Sequence, residues 1–192
     1  MAAGEDAISI ERWDLAAAER GLPALCGILA DCVLGGASVN FMLPFDLAAA
    51  ERYWRRELPR VGSGEILLFV ARDGDGLPVG TVQLHPALRP NQDHRADVAK
   101  LLVHGRARGR GVAAALMAAL EEAALALGRP LLVLDTVPGT SADRLYRRLG
   151  WQPVGVIPGF ARMPDGPLCD TLLFYKWLRP PQSVERPAMP SA

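Results

Sequence analysis

The 192-residue sequence predicts an α/β fold in which helices flank a single mixed central β-sheet. Apolar runs of strand length alternate with segments whose apolar residues recur at helical spacing. A hairpin signal, the turn Asp73-Gly74-Asp75-Gly76 between two β-rich runs, interrupts the repeating βα pattern of a purely parallel sheet. Half of the residues are apolar, so one domain over residues 1–178 can bury a substantial core.

The predicted elements follow the order β-α-α-β-β-β-α-β-α-β-β. Strands are expected at 7–13, at 65–88 as a hairpin, and at 97–104, 130–136, 151–158 and 169–178. Helices are expected at 22–36, at 47–58 with a stop at Pro59, from the turn near 111 to about 127, and at 141–150. Residues 179–192 are rich in proline and poor in apolar bulk, and they are predicted to be a disordered tail.

Charge and cysteine content exclude several classes of function. Lysine plus arginine equals aspartate plus glutamate, 21 each, so the net charge predicts neither a nucleic-acid nor a membrane partner. The cysteines, Cys26, Cys32 and Cys169, are odd in number and lack metal-ligand spacing, so no metal site is expected. The amino-terminal sequence has no secretion signal pattern, and a cytoplasmic location is expected.

The segment RARGRGVAAALMAALEEAA, residues 106–124, combines a glycine-arginine turn with the start of a helix. The first N–H groups of a helix are unpaired and carry partial positive charge, and glycine lets a ligand approach them closely. The turn is therefore predicted to hold a pyrophosphate. A dinucleotide fingerprint, G-x-G-x-x-A from Gly109 to Ala114 with Asp135 ending the next strand, is one alternative, although the upstream hairpin replaces the βαβ unit that it requires.

A second pattern, Q/R-x-x-G-x-G/A, fits from Arg108 to Ala113. LLVHGRARGRGVAAALMAALEEAA and ADRLYRRLGW together resemble the two signature motifs of the GNAT (Gcn5-related) acyltransferases, and the element order agrees over residues 7–178. RPNQDHRADVAKLLVH and LLVLDT are similar to the branch of that family that includes the tabtoxin resistance protein.

The resemblance implies a GNAT fold and direct transfer of acetyl from acetyl-CoA, the cosubstrate, to an amine of a small molecule, without a metal. The branch implies an antibiotic or toxin of the tabtoxinine-β-lactam type as a candidate acceptor. A non-catalytic acyl-CoA-binding sensor is the alternative from another functional class, and the sequence leaves open a monomer or a homodimer.

The apolar positions of the strand DVAKLLVH break alternation, which indicates a β-bulge. In the family, such a bulge splays strands 4 and 5 and lets pantetheine insert between them, with backbone N–H near Val103 facing the thioester. The resemblance implies cofactor contacts from the splayed strand, the glycine turn and the next helix: Leu101, Leu102, Val103, Arg108, Gly109, Arg110, Gly111, Val112, Ala113, Ala114 and Ser141. Ser141 is included because Gly139 stands where many relatives have a cofactor-binding asparagine.

The catalytic candidates are Tyr146, Asp97 and His104. Tyr146 matches the family's general acid, although it could also fill the core. Asp97 matches the position of a carboxylate base in the histone-acetylating branch, or it forms an ion pair with Arg95. His104 or His94 could relay a proton through water, so the base is Asp97, a histidine or water.

The acceptor is expected between residues 37–44 and 159–167. Phe41, Phe45 and Phe160 would form an apolar wall there, unless they belong to the core. Asp46 or Asp165 would hold an ammonium group.

Overall fold

The computed structural model describes residues 7–179, and within that range seven strands form one sheet in the order β1-β2-β3-β4-β5-β7-β6. The strands are β1 (Ser9–Trp13), β2 (Leu67–Arg72), β3 (Pro78–Pro86), β4 (Arg95–Val103), β5 (Leu131–Thr136), β6 (Gln152–Arg162) and β7 (Leu168–Trp177). Neighbouring strands are antiparallel except β4 and β5, which are parallel. The predicted mixed sheet is confirmed. The tail predicted at 179–192 lies outside the described residues except for Arg179.

The helices are α1 (Leu15–Arg20), α2 (Leu22–Leu34), α3 (Leu47–Gly62), α4 (Val112–Ala126) and α5 (Ser141–Arg148), with short 3₁₀ turns at Pro90–Gln92 and Gly105–Ala107. The sequence analysis missed α1, whose first turn is capped by Asp14 through the N–H of Ala17 at 2.8 Å. The predicted stop at Pro59 is wrong, because α3 continues to Gly62. Pro59 has no N–H to bond the carbonyl of Arg55, but both residues are exposed and only one turn of α3 follows, so water can bond that carbonyl and the helix continues.

The sheet separates two hydrophobic cores. The core on the side of α1, α2 and α3 includes Trp13, Leu25, Leu29, Trp54, Leu68, Val70 and Leu102. The core on the side of α4 and α5 includes Phe69, Val82, Leu84, Ala96, Val98, Leu116, Leu132, Tyr146 and Phe174. Each strand of the sheet centre thus contributes alternate side chains to the two faces.

This alternation changes phase inside β4. Val98 packs on the α4 side, but further along the strand Leu101 and Val103 pack there while Leu102 packs on the opposite side. The change is a β-bulge at Lys100, whose φ is +52°. In the ladder with β3, Gln83 pairs with Ala99 and Thr81 with Leu102, so two residues of β4 oppose Val82. The predicted bulge is confirmed.

The bulge lies three residues beyond the place where β4 leaves β5. The two strands pair only from Arg95 to Asp97, opposite Leu131 to Val133. Beyond Asp97 the parallel ladder ends, and the rest of β4 continues beside β3 alone. The predicted splay of strands 4 and 5 is therefore confirmed, and it opens a gap at the centre of the sheet.

Candidate active site

The start of α4 has the geometry of an anion site. Side chains cap α1, α3 and α5, from Asp14, Asp46 and Thr140, whereas among residues 7–179 none caps α4. Gly109 and Gly111 have φ values of +77° and +79°, and no described atom lies within 4 Å of where a Cβ would stand at either residue. Uncapped N–H groups beside open space fit a pyrophosphate, and the positive φ values explain why both positions carry glycine.

Arg108 anchors this turn to the rest of the protein. Its Nε donates to the carbonyl of Val103 at 3.1 Å, and its Nη2 lies 3.3 Å from Oδ2 of Asp31 in α2. The same Oδ2 accepts the N–H of Gly105 at 2.8 Å. The guanidinium therefore has partners within the protein, which indicates that it shapes the turn. Asp31, which the sequence analysis missed, contacts both Gly105 and Arg108 and so fixes the turn against α2.

The other residues expected to contact the cofactor lie along the same route. Residues 101–103 form the splayed end of β4, and Leu102 is buried on the α2 side. The first turn of α4 contains Val112, which is buried, and Ala113 and Ala114, which are half-buried. Arg110 is exposed in the turn, and Ser141 is exposed at the start of α5. Their contacts with a cofactor stay predictions.

Tyr146 lies in α5 with its side chain in the core. The residue is 6% exposed, and its ring centroid is 5.8 Å from that of Trp151 and 5.9 Å from that of Phe174. Burial, and secondarily the negative charge of Asp135, raise the pKa of the phenol above its ordinary value. Tyr146 thus keeps its proton at neutral pH, as a general acid must. Its catalytic role stays a prediction beside the packing role that these contacts show.

Asp97 and His104 have partners of their own. The carboxylate of Asp97 lies 2.9 and 3.0 Å from Nη1 of Arg95, and its side chain is 52% exposed, so the two form a solvated ion pair. The Nδ1 of His104 accepts the N–H of Arg106 at 3.3 Å and lies 3.9 Å from Asp31. His104 lies four residues beyond Lys100, the bulged residue, which is roughly 13 Å along the chain. The roles of Asp97 and His104 in proton transfer stay predictions.

A cavity of about 290 Å³ lies between α3, β3 and the bulge of β4. The sequence analysis expected one of its residues, Phe41, near the acceptor. The side chains that line it come from four separate segments of the chain: Asn40, Phe41, Tyr53, Arg56, Glu57, Arg60, Gln83, His85, Ala99 and Lys100. A larger hollow, of about 640 Å³, is lined by residues between Arg12 and Glu19 and between Val61 and Ile66, with no contribution from β3, β4 or β5. The smaller cavity is the one that adjoins the splay.

Polar groups are arranged in a chain along this cavity. The Nε2 of His85 lies 3.0 Å from Oε1 of Gln83, and the hydroxyl of Tyr53 lies 3.3 Å from the same oxygen. Glu57, only 6% exposed, accepts from Nη1 of Arg60 at 2.7 Å. Burial, and then the positive charge of Arg60, lower the pKa of His85. His85 is therefore neutral at pH 7 and able to accept a proton.

Lys100 reaches the cavity because of the bulge. Regular alternation would place Ala99 and Lys100 on opposite faces of the sheet, yet both line this cavity. The Nζ of Lys100 lies 5.6 Å from the ring centroid of Tyr53 and 5.7 Å from that of Phe41. Burial lowers the pKa of the amine.

The two loops expected around the acceptor do contact each other. The hydroxyl of Ser38 donates to the carbonyl of Arg162 at 3.2 Å, and the N–H of Leu43 donates to the carbonyl of Pro164 at 2.8 Å. The other four residues expected around the acceptor do not line the cavity. Phe45 is buried in the core on the side of α3. Asp46 caps α3 through the N–H of Ala49 at 2.7 Å, Phe160 is 57% exposed on β6, and Asp165 is exposed in the β6–β7 turn.

Comparison with known proteins identifies the family. The family model described as "Acetyltransferase (GNAT) family" matches residues 42–151. The match runs from the loop before α3 to Trp151, which packs on Tyr146. The chain belongs to the GNAT acetyltransferase family. The match includes α3, the bulged strand, the glycine turn and α5, which carry most of the candidate site residues.

Relatives of this GNAT protein agree with that assignment. An uncharacterized N-acetyltransferase in the hisH-hisA intergenic region of Azospirillum brasilense is 36% identical over 113 residues, which are 58% of this chain and 65% of that protein. The chain thus spans slightly less than two thirds of that relative.

Two solved structures show the same fold. An N-acetyltransferase from Staphylococcus aureus Mu50 has a TM-score of 0.73 at 18% identity, with 90% of this chain and 99% of that chain covered. YncA from Salmonella typhimurium, solved with its cofactor acetyl-CoA, has a TM-score of 0.71 at 17% identity, with 93% and 98% covered. Among residues 7–179, no helix has the length and apolar character needed to span a membrane.

Proposed function

We propose that this GNAT protein transfers the acetyl group of acetyl-CoA directly to an amine of a small molecule. The observation that carries the proposal is the opening between β4 and β5, which begins after Asp97, together with the uncapped start of α4 and the polar cavity beside the bulge. A long substrate with a pyrophosphate at one end and a thioester at the other would extend from the start of α4 through this opening to the cavity. YncA, which shares the fold, was solved with acetyl-CoA.

Different backbone segments would bind the pyrophosphate, the pantetheine and the thioester of acetyl-CoA. The N–H groups at Gly109 to Ala113 would bind the pyrophosphate, and the splayed residues 101–103 would lie beside the pantetheine. Acetyl-CoA supplies an activated acyl group and a thiol leaving group. The N–H groups of the bulged strand would stabilise the charge that develops on the thioester oxygen.

Two proton transfers complete the reaction. The acceptor amine must be neutral to attack, and the departing thiolate needs a proton. Tyr146 would supply that proton, because a phenol, with a pKa of about 10, is protonated at neutral pH and can share its proton with the departing sulfur. The proton of the acceptor passes to Asp97, to a histidine or to water. The histidine that lines the cavity is His85, which is neutral at pH 7.

The acceptor would enter the cavity beside α3. A volume of about 290 Å³ and the presence of Phe41, Tyr53 and several polar side chains fit a small molecule. An antibiotic or toxin of the tabtoxinine-β-lactam type stays one proposed acceptor class, because the sequence is similar to that branch of the family. A cytoplasmic location is part of the same proposal.

Thiol release from acetyl-CoA tests the proposal. The full-length protein is incubated with acetyl-CoA and a panel of amino acids, polyamines and amine-bearing antibiotics, and free thiol is measured. Protein-dependent release with at least one acceptor supports the enzyme. Acetyl-CoA binding by calorimetry without transfer to any acceptor would favour a non-catalytic acyl-CoA sensor. Preference for a dinucleotide over CoA would favour the dinucleotide interpretation of the glycine turn.

A further inference from the structure

The chain contains two lysines, Lys100 and Lys176, and the structure places them in opposite environments. The Nζ of Lys176 lies 2.8 Å from Oε2 of Glu121 and also donates to the carbonyl of Leu149 at 2.8 Å. Lys100 instead extends from the bulge into the acceptor cavity, where its Nζ lies over the rings of both Phe41 and Tyr53. One lysine is an ion-pair partner, and the other is a primary amine inside the cavity proposed for amine acceptors.

From this placement we infer that Lys100 is an acetylation site of the protein itself, modified from bound acetyl-CoA when no acceptor fills the cavity. The inference rests on the proposed function, since it requires the thioester to lie at the bulge. Lys100 is the bulged residue and lies three positions beyond Asp97, where the pairing of β4 with β5 ends.

The step is balanced within the groups named. The lone pair of Nζ of Lys100 attacks the thioester carbonyl, the carbon–sulfur bond breaks, and the acetyl group remains on the lysine as an amide. The amine loses one proton, and the thiolate of CoA gains one. The products are N-acetyl-lysine and free CoA, and no oxidant or reductant takes part.

The surroundings of Lys100 favour the neutral amine that this attack needs. Burial is the largest influence and lowers its pKa, and Arg56 of α3 acts in the same direction. Glu57 of α3 and Asp135 of β5 act in the opposite direction, as do the faces of the two aromatic rings. Burial outweighs these opposing influences, because removing an ammonium group from water is costly, and the pKa of Lys100 is lowered on balance.

Mass spectrometry tests the inference. The purified full chain is incubated with acetyl-CoA at neutral pH without any acceptor, and peptides containing each lysine are quantified over time. The peptide with Lys100 should gain one acetyl group at least about tenfold faster than the peptide with Lys176, because bound acetyl-CoA acts at high effective concentration. Lys100→Arg should remove the fast modification, and Lys176→Arg should leave it unchanged.

A control separates the protein's own reaction from chemical acetylation by free acetyl-CoA. Gly111→Ala alters the proposed pyrophosphate turn and should slow the modification of Lys100 without changing that of Lys176. Equal rates at the two lysines, or a Lys100 rate that Gly111→Ala does not change, overturn the inference. If acetyl-CoA binds by calorimetry and is used with an added amine while Lys100 stays unmodified, the inference fails and the proposed function stands. If acetyl-CoA does not bind at all, both fail.

Discussion

Substitution of Gly111 by alanine separates cofactor binding from stability. The new Cβ would stand in the open space beside the start of α4, where the pyrophosphate is proposed to bind. Displacing the phosphate from one backbone N–H removes a charge-assisted hydrogen bond of about 1.5–3 kcal/mol. The Kd for acetyl-CoA should therefore rise roughly tenfold to a hundredfold, measured by isothermal titration calorimetry.

The matched control is Gly128→Ala, beyond the other end of α4. Gly128 has a φ of +68°, close to the +79° of Gly111, and no described atom lies within 4 Å of a Cβ built there. Both alanines should lower the free energy of unfolding by about 1–2 kcal/mol, the cost of a left-handed L-residue. The Gly111 variant alone should lose affinity. If both variants bind acetyl-CoA as the wild type does, or lose affinity equally, the pyrophosphate does not lie on this turn.

Three further substitutions test other parts of the site. Tyr146→Phe keeps the ring contacts and should lower kcat by about 10²- to 10⁴-fold with unchanged acetyl-CoA affinity. If the variant keeps more than about a third of wild-type kcat while chemistry is rate-limiting, the acid is water or His104 and not Tyr146. Asp31→Ala should weaken acetyl-CoA binding and lower the free energy of unfolding in urea by about 1–2 kcal/mol, because the N–H of Gly105 loses its acceptor. Unchanged affinity would show that the glycine turn keeps its conformation without Asp31. The N–H of Gly139 and the guanidinium of Arg147 lower the pKa of Asp143. Its stabilisation is therefore complete above the ordinary carboxyl pKa of about 4 and is lost as the pH falls through the lower folded-state value. The stability deficit of Asp143→Asn, measured by urea unfolding, should be full at pH 7 and should shrink as the pH is lowered below about 4; a deficit that does not change with pH would contradict this.

The sequence predicted the features that local patterns encode. The broken alternation at Val98, Leu101 and Val103 was sufficient to predict the bulge, because each apolar side chain must face a core. The two glycines of the turn likewise predicted backbone that only glycine adopts easily. The other helices and strands were predicted because their patterns of apolar residues are likewise local. The exception is α1, whose six residues are too few to show a helical period.

The acceptor cavity could not be predicted in the same way. Tyr53, Glu57, Gln83, His85 and Lys100 belong to three elements, and only the packing of α3 against β3 and β4 brings them together. Tyr53 and Glu57 are four residues apart and so share one face of α3, which is a usable signal, but the sequence does not say what that face covers. Asp46 was assigned to an ammonium although an aspartate directly before an apolar helical run is typical of an N-cap.

The bulge has a consequence for how the strand can vary. If Lys100 were removed, Ala99 would be followed by Leu101, and strict alternation would place Leu101 and Val103 on the α4 side and Leu102 on the other, as they already lie. Lys100 is therefore supernumerary to the two cores, and a one-residue deletion should leave a regular, paired β4 in a folded protein. A shortened strand should therefore preserve the architecture while losing the side chain that the bulge directs into the acceptor cavity.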